Sequence, residues 1–439
     1  MFVQHSQIPS SGKKGVTRPG ILRSGIAACS IILGFCTSIL IAHTLGPAGF
    51  GIYTFVLWLA TVGTPAIGVG MSTLTSRHII EIQSHQAPRV AAGVFSFIWQ
   101  RQYRSILLYC LIYLLLIFPF SWFFGANAPI HLLLLAGFSV PPLLLSVVAG
   151  ITLRSLRRFN LLAIISLLGA VTGLLMVSMV VQVQGEHIGL LLLASATASI
   201  FTLSVALLCI MRLLPVGQAL SPGPFLKDRL TRGLNNSLLL FTLDVIVWQP
   251  SELIWLAHWR GSTELAFYAL SSMLAARFLD LAPMLFSTWL LPILVRYIPS
   301  QRYTNAYDAF IKASRFVAFL AVLLCVLAIL FCPLLIEYCF GRAYLPVVIP
   351  LRILLISAAF GSVSTVSLTH LANGERKQAQ VWLGIGSAVL NIVLALPFII
   401  IWGAIGAALA SAIAQIISAT GSIIICKRLI TYRFYIQSG

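Results

Sequence analysis

About twelve apolar runs, each long enough to cross a bilayer, divide this sequence of 439 residues, and no other feature restricts its fold so severely. A hydrocarbon core about 30 Å thick needs about 20 apolar residues per helix. On that rule the spans lie near 22–43, 51–74, 105–124, 130–152, 160–182, 188–210, 234–257, 265–292, 316–338, 346–371, 380–402 and 404–426. Lipid offers backbone N–H and C=O groups no partner, so continuous helices are expected. With 59% hydrophobic and only 9% charged residues, a soluble globular domain is excluded. The first run is too long for a signal-peptide core and lacks a convincing cleavage site, so it reads as a retained span.

The basic residues orient the runs. The net charge of +18 does not point to nucleic acid, because the bases punctuate the apolar runs. With the N-terminus cytoplasmic, alternate connections and the two tails hold 24 of the 28 Lys and Arg. The opposite side holds Arg260 and Arg342, while Arg277 and Arg352 lie inside spans. That asymmetry places both termini in the cytoplasm and supports an even number of spans, since one missed helix would scramble it. Arg352 follows Pro350 near an outer helix end, where a long side chain reaches the headgroups.

One segment occurs twice. Ile41 to Tyr53 reads IAHTLGPAGFGIY, and 215 residues later Leu256 to Tyr268 reads LAHWRGSTELAFY. Ala42, His43, Gly46 and Tyr53 face Ala257, His258, Gly261 and Tyr268, and Gly51 faces Ala266. Ile188-Gly189 and Ile405-Gly406 repeat at a spacing of 217, each opening a helix of small residues. With six spans per repeat, each half begins and ends on the same side. The halves are then parallel repeats about an axis along the membrane normal.

The expected fold is an all-α polytopic membrane protein with about 12 transmembrane helices in two pseudo-symmetric six-helix bundles. A basic cytoplasmic tail (1–20) precedes the first bundle (21–211). A cytoplasmic linker (212–232) carrying Pro215, Pro222 and Pro224 leads to the second bundle (233–426) and a basic tail (427–439). Two facing bundles leave a central cleft that can expose a substrate to alternate sides.

Ionisable residues inside spans are expensive and therefore candidates for function. Asp244 lies in the span near 234–257, followed by Trp248, Gln249, Pro250 and Glu252. Arg277 and Asp280 lie in the next span at i,i+3 spacing, which allows a structural pair within one helix. Asp244 has no partner at helical spacing, so it is the stronger candidate for titration during a transport cycle; pairing with Arg277 across the cleft is the alternative. Asp244 and Asp280 are the ion-coupling candidates. Arg23 and Arg77, at cytoplasmic helix ends, are either positive-inside anchors or an electropositive entrance for a phosphate-bearing substrate. His43 and His258 sit beside outer connections, where capping a helix end is the modest reading.

Seven of the eight cysteines named by position, Cys29, Cys36, Cys110, Cys209, Cys325, Cys332 and Cys426, lie in or at the ends of apolar runs. No CxxC is present, so cysteine reads as a small packing residue, with neither disulfide nor metal site expected. TVGTPAIGVG near 61–70, Pro141-Pro142, Pro250 and Pro283 predict kinked helices. There is no P-loop, HExxH or GxSxG, and the connections are too short for a nucleotide-binding or glycosyltransferase domain. An enzyme and a bound cofactor are not expected, and transport would draw on an ion gradient, the membrane potential or the substrate's own gradient.

Several stretches resemble a known group. Leu45 to Glu81, LGPAGFGIYTFVLWLATVGTPAIGVGMSTLTSRHIIE, is similar to the N-terminal signature of bacterial polysaccharide-biosynthesis membrane proteins. Pro292, Phe340-Gly341 with Tyr344, and Leu390 to Gln415 resemble successive C-terminal blocks. The last is the most specific, with Asn391 in a helix and Gly403 to Ala408 at a tight outer turn. The resemblance covers essentially the whole chain and implies the oligosaccharide flippase family, the O-antigen and exopolysaccharide branch of the superfamily that includes the multidrug-and-toxin extruders (MATE). That implies a MATE-like fold in the bacterial inner membrane.

The implied function is movement of an undecaprenyl-pyrophosphate-linked oligosaccharide from the cytoplasmic to the periplasmic leaflet by alternating access. Implied partners are the lipid-linked oligosaccharide, membrane lipids, and a glycan polymerase and chain-length regulator of the same pathway. A monomer is the default because the cleft lies within one chain. Arg23 and Arg77 suit the pyrophosphate, and Trp248, Gln249 and Trp255 suit sugars. A cation-coupled multidrug extruder of the same fold is the main alternative, and a carboxylate-rich cavity with few basic residues at its inner mouth would favour it. A membrane-embedded glycan polymerase or ligase fits less well, because every outer connection is short. A peptidoglycan-precursor lipid flippase usually carries two additional spans.

Overall fold

The computed structural model describes residues 18–64, 88–156, 158–184, 187–215, 231, 251–285, 303–373 and 377–438. Among them nine helices are long and apolar enough to cross a membrane. The spans expected near 51–74, 234–257 and 265–292 fall partly outside the described residues. The fold is that of an all-helical polytopic membrane protein.

In chain order the helices are α1 (Arg18–Thr61), α2 (Pro88–Phe124), α3 (Ile130–Gly137), α4 (Val140–Ser155), α5 (Phe159–Gln184) and α6 (Ile188–Leu213). They continue with α7 (Glu252–Trp259), α8 (Ser262–Leu285), α9 (Tyr303–Cys339), α10 (Val348–Asn373), α11 (Lys377–Trp402) and α12 (Ala404–Ser438). α1 bends sharply at Gly46, where φ is 62° and Pro47 follows. Only glycine takes that conformation without strain, and proline cannot donate to the preceding turn. The matching Gly261 has φ 86° and separates α7 from α8. Thus both copies of the sequence repeat form the same reversal between two helices.

The likeness continues beyond the repeat. α2 and α9 are each 37 residues long, with Pro119 and Pro333 inside them. Each ends at a positive-φ glycine, Gly125 or Gly341, and a 3-10 turn follows, Gly125–Asn127 or Arg342–Val347. All five positive-φ glycines among the described residues lie in turns on the side with few bases. That side is hereafter the outer side.

Three helices run well past their apolar runs. α2 starts at Pro88 rather than near 105, α9 at Tyr303 rather than near 316, and α12 continues to Ser438. Hydropathy marks only the part of a helix inside lipid, whereas the backbone ladder continues through Arg89, Arg101 and Arg104. The expected span near 130–152 is divided instead: α3 ends at Gly137, and α4 starts at Val140 before Pro141-Pro142. Proline is tolerated in the first turn of a helix, where its missing N–H would have had no partner.

Close packing relies on small residues. α10 and α12 lie along one another, with Ala358, Ala407, Ala408 and Ala410 fully buried. Small side chains let membrane helices approach when no hydrophobic force drives them together. Large apolar groups point outward in turn: Phe118 is 75% exposed and Trp122 86%. In water that surface would aggregate; in lipid it is the solvated face.

Candidate functional site

A cavity of about 420 Å³ lies among α1, α7, α8, α10, α11 and α12. The helices after residue 250 supply most of its wall, and α1 adds Thr54 and Trp58. At 1.5 Å per residue, Tyr268, Glu252, Asn391 and Ser411 stand about 10–18 Å below the nearest outer glycine turns. That is near the middle of a bilayer core about 30 Å thick.

Glu252 is the central feature. Its side chain is completely buried. Oε1 accepts from Asn391 Nδ2 at 2.6 Å and from the Ser411 hydroxyl. Because Ser411 donates its proton to Glu252, its oxygen is left to accept from Tyr268, whose hydroxyl is 2.9 Å away. A polar chain therefore runs from Tyr268 through Ser411 to Glu252 and on to Asn391, using four helices. A carboxyl group without water needs such donors to remain inside a membrane.

Among the described residues, three atoms around the cavity have no partner: Glu252 Oε2, Asn391 Oδ1 and Trp58 Nε1 are all buried and unsatisfied. Buried polar atoms are rarely orphaned, because each costs about 1–3 kcal/mol. Two acceptor oxygens from α7 and α11 and one indole donor from α1 thus remain available to an occupant. The oxygens suit a proton or a cation; the indole suits a hydroxyl or an anion.

The repeat clarifies which part of this chemistry is special. Tyr53, which matches Tyr268, is likewise buried and lies near a serine, Ser195, whose hydroxyl donates to Leu192 O, whereas Tyr268 is hydrogen-bonded to Ser411. A buried tyrosine near a serine is therefore common to both repeats. Position 37, which matches Glu252, is Thr37, whose hydroxyl donates to Leu33 O in its own helix. Only the later repeat carries the carboxyl group.

The residues singled out from sequence distribute unevenly. Arg77, Asp244, Trp248 and Gln249 lie outside the described residues. Arg23 lies on α1 and Asp280 on α8, with their side chains outside the described part. Arg277 on α8 is exposed and does not line this cavity, although Ala275 and Ala276 beside it do. Arg352 is exposed near the outer end of α10. Sequence reasoning gave Glu252 less weight than Asp244 and passed over Ser411 and Tyr268 as site residues. Its partners are 139 and 159 residues away, beyond any local spacing rule.

His43 does cap a helix end, but of another part of the chain: Nε2 donates to Cys339 O, at the end of α9, at 2.9 Å. His258 instead stacks on Phe123 of α2, with ring centroids 4.4 Å apart. Among the described residues no group of three or more His, Cys, Asp or Glu is arranged to hold a metal ion.

No family model matches the sequence, and no curated protein matches it by sequence. Solved structures do match in fold. A lipid II flippase MurJ in an inward closed conformation aligns with a TM-score of 0.70 at 16% identity, covering 93% of this chain and 87% of that one. An inward-facing multidrug resistance MATE family transporter of the MOP superfamily aligns at 0.68 and 14%, covering 94% of this chain and 98% of that one. The MATE transporter ClbM in complex with Rb⁺ aligns at 0.58 and 15%, covering 93% and 92%. The chain therefore has a MATE-like fold. At these identities the likeness carries the fold alone.

Proposed function

We propose that this chain is an ion-coupled flippase of the bacterial inner membrane that carries a lipid-linked oligosaccharide from the cytoplasmic to the outer leaflet. The observation that carries the transport reading is Glu252, a fully buried carboxyl in the wall of a mid-membrane cavity, with one oxygen that has no partner among the described residues. A static scaffold has no use for so expensive a group. The same oxygen is suited to hold the coupling proton or cation, a role the sequence assigned to Asp244 and Asp280.

The substrate class rests on the sequence resemblance and on charge. Bases crowd the cytoplasmic connections, Arg23 and Arg77 among them, as suits a pyrophosphate headgroup. The lipid tail stays in the bilayer, and the headgroup crosses between bundles spanning 21–211 and 233–426, joined by the 212–232 linker. The chain acts as a monomer, upstream of the polymerase that consumes the outer-leaflet glycan. Lipid II flippase MurJ shares this fold with MATE transporters, so the architecture serves an amphiphilic lipid as well as small solutes.

The second reading is a cation-coupled multidrug extruder, and Glu252 favours it too, because a cavity carboxylate attracts cationic drugs. Proteoliposomes separate the two. A fluorescent undecaprenyl-pyrophosphate oligosaccharide should cross faster under an imposed proton or sodium gradient, and Glu252→Gln should abolish the acceleration. Export of ethidium with no movement of the glycolipid would establish the extruder instead.

A further inference from the structure

Among the contacts that join the outer helix ends before residue 128 to those after residue 256, four form two matched pairs. Tyr344 OH donates to Ala42 O at 2.9 Å, and Asn127 Nδ2 donates to Ala257 O at 2.7 Å. Ala42 and Ala257 are the alanines matched at a spacing of 215; Asn127 and Tyr344 sit in the matched 3-10 turns. The next residue repeats the pattern. His43 reaches the last residue of α9 through Cys339 O, and His258 stacks on Phe123 near the end of α2. Each alanine–histidine dipeptide thus grips the helix end and 3-10 turn of the other repeat.

Local folding prepares the grip. At the end of α7, the Arg260 and Gly261 amides both bond Leu256 O, which leaves the Ala257 carbonyl to Asn127. At the end of α9, the Phe340 and Gly341 amides both bond Ile336 O, which leaves the Cys339 carbonyl to His43. Helix ends always leave such carbonyls over. Here the opposite repeat satisfies them. Between the two grips, Gly51 meets α8 so closely that a Cβ there would fall 1.9 Å from Ser262 O. The residue matching Gly51 is Ala266, on the facing helix, so the repeats touch near their own axis.

We propose that Ala42-His43 and Ala257-His258 are the arms of a reciprocal latch that holds the outer end of the molecule shut and must release for outward opening. The proposal rests on the alternating-access reading, which gives the release its purpose. Its chemistry suits a gate. Carbonyls freed at the outer face meet water and headgroups, so each bond contributes only the small net energy of a hydrogen bond and can break and reform. Cavity residues such as Thr54 lie one helical turn inward of Gly51 and become reachable from outside only after release.

The test is labelling of a single cysteine, Thr54→Cys, in a chain whose eight natural cysteines are replaced. Cys339 enters the latch through its backbone carbonyl, so its replacement leaves the latch intact. A membrane-impermeant maleimide is applied from the outer side of sealed, oriented vesicles. Tyr344→Phe keeps the ring packed edge-on against Phe50, at 6.1 Å and 85°, and removes only the donor. Tyr344→Phe and Asn127→Leu should each raise the labelling rate about fivefold, and the double variant more than either. Hydrogen exchange at residues 256–261 and 339–347, measured with all natural cysteines present, should rise in the same variants. Unchanged labelling together with unchanged exchange would overturn the latch. Neither readout needs a substrate. A chain that shows both changes but moves no glycolipid keeps the latch and loses the flippase assignment; one that moves glycolipid with neither change loses the latch alone.

Discussion

Glu252 and Asn391 meet at 2.6 Å in the cavity wall, and each keeps one oxygen without a partner among the described residues. The pair therefore does more than neutralise a buried carboxyl. If hydrogen bonding were its whole purpose, both Glu252 oxygens would be satisfied, as buried polar groups normally are. Oε2 and Asn391 Oδ1 instead stay unpaired in the wall of the cavity, two acceptors that a proton or cation could use.

Glu252→Gln tests that role without disturbing the packing. Glutamine has the same shape and keeps an oxygen to accept from Asn391 and Ser411, but it holds no negative charge. Transport driven by an imposed ion gradient should fall at least tenfold (about 1.4 kcal/mol), while the thermal midpoint in detergent stays within a few degrees. Glu252→Leu should also lower the midpoint, since two donors lose their acceptor at about 1–3 kcal/mol each. Full gradient-driven transport by Glu252→Gln would remove this residue from the coupling step.

The matched tyrosines provide an internal control. Tyr268→Phe and Tyr53→Phe each remove one buried hydroxyl at matched positions, and Tyr268→Phe, which loses the bond to Ser411, should cost about 1 kcal/mol of stability. Only Tyr268 connects through Ser411 to the carboxyl. Tyr268→Phe should therefore raise the ion concentration needed for half-maximal transport, and Tyr53→Phe should not. Equal effects on ion dependence would show that the polar chain is merely structural.

Much of the fold was legible in the sequence because lipid imposes simple rules. Apolar run length located the helices, and the Gly46 and Gly261 spacing announced two alike reversals, both now at positive φ. Helix lengths outside the lipid were not legible, since nothing in hydropathy marks where α2 begins at Pro88. The site was half legible. Glu252 stood out as a carboxyl within a span, yet its two partners come from two other helices, and a sequence reveals neighbours only three or four positions apart. The histidines carry the same lesson: helix-end binding was readable for His43, but not that the helix would be α9.

Two glycines of one helix should respond oppositely to alanine. A Cβ on Gly51 would fall 1.9 Å from Ser262 O and 3.2 Å from Ala266 N, and a backbone cannot yield as a side chain does. Gly51→Ala must push α1 and α8 apart, so the yield of monodisperse protein on size exclusion should drop severalfold. A Cβ on the exposed Gly34 meets nothing within 4 Å. Gly34→Ala should leave the yield unchanged or improve it, because alanine favours the helix by about 1 kcal/mol. Equal behaviour of the two variants would refute the close approach at Gly51.

Trp58 is the residue through which the first repeat reaches the cavity chemistry. Its indole Nε1 is buried without an acceptor, while its ring stacks on Phe55 at 6.1 Å and 15°. Trp58→Phe preserves an aromatic ring against Phe55 and deletes the donor, so stability should change little. If the orphan donor serves a sugar hydroxyl or phosphate, the variant should raise the KM for glycolipid severalfold while leaving the dependence on the driving ion unchanged. Glu252→Gln should do the reverse if its free oxygen serves the ion and not the glycan. A Trp58→Phe variant with unaltered KM would show that the indole N–H makes no substrate contact, and the cavity would then belong to coupling alone.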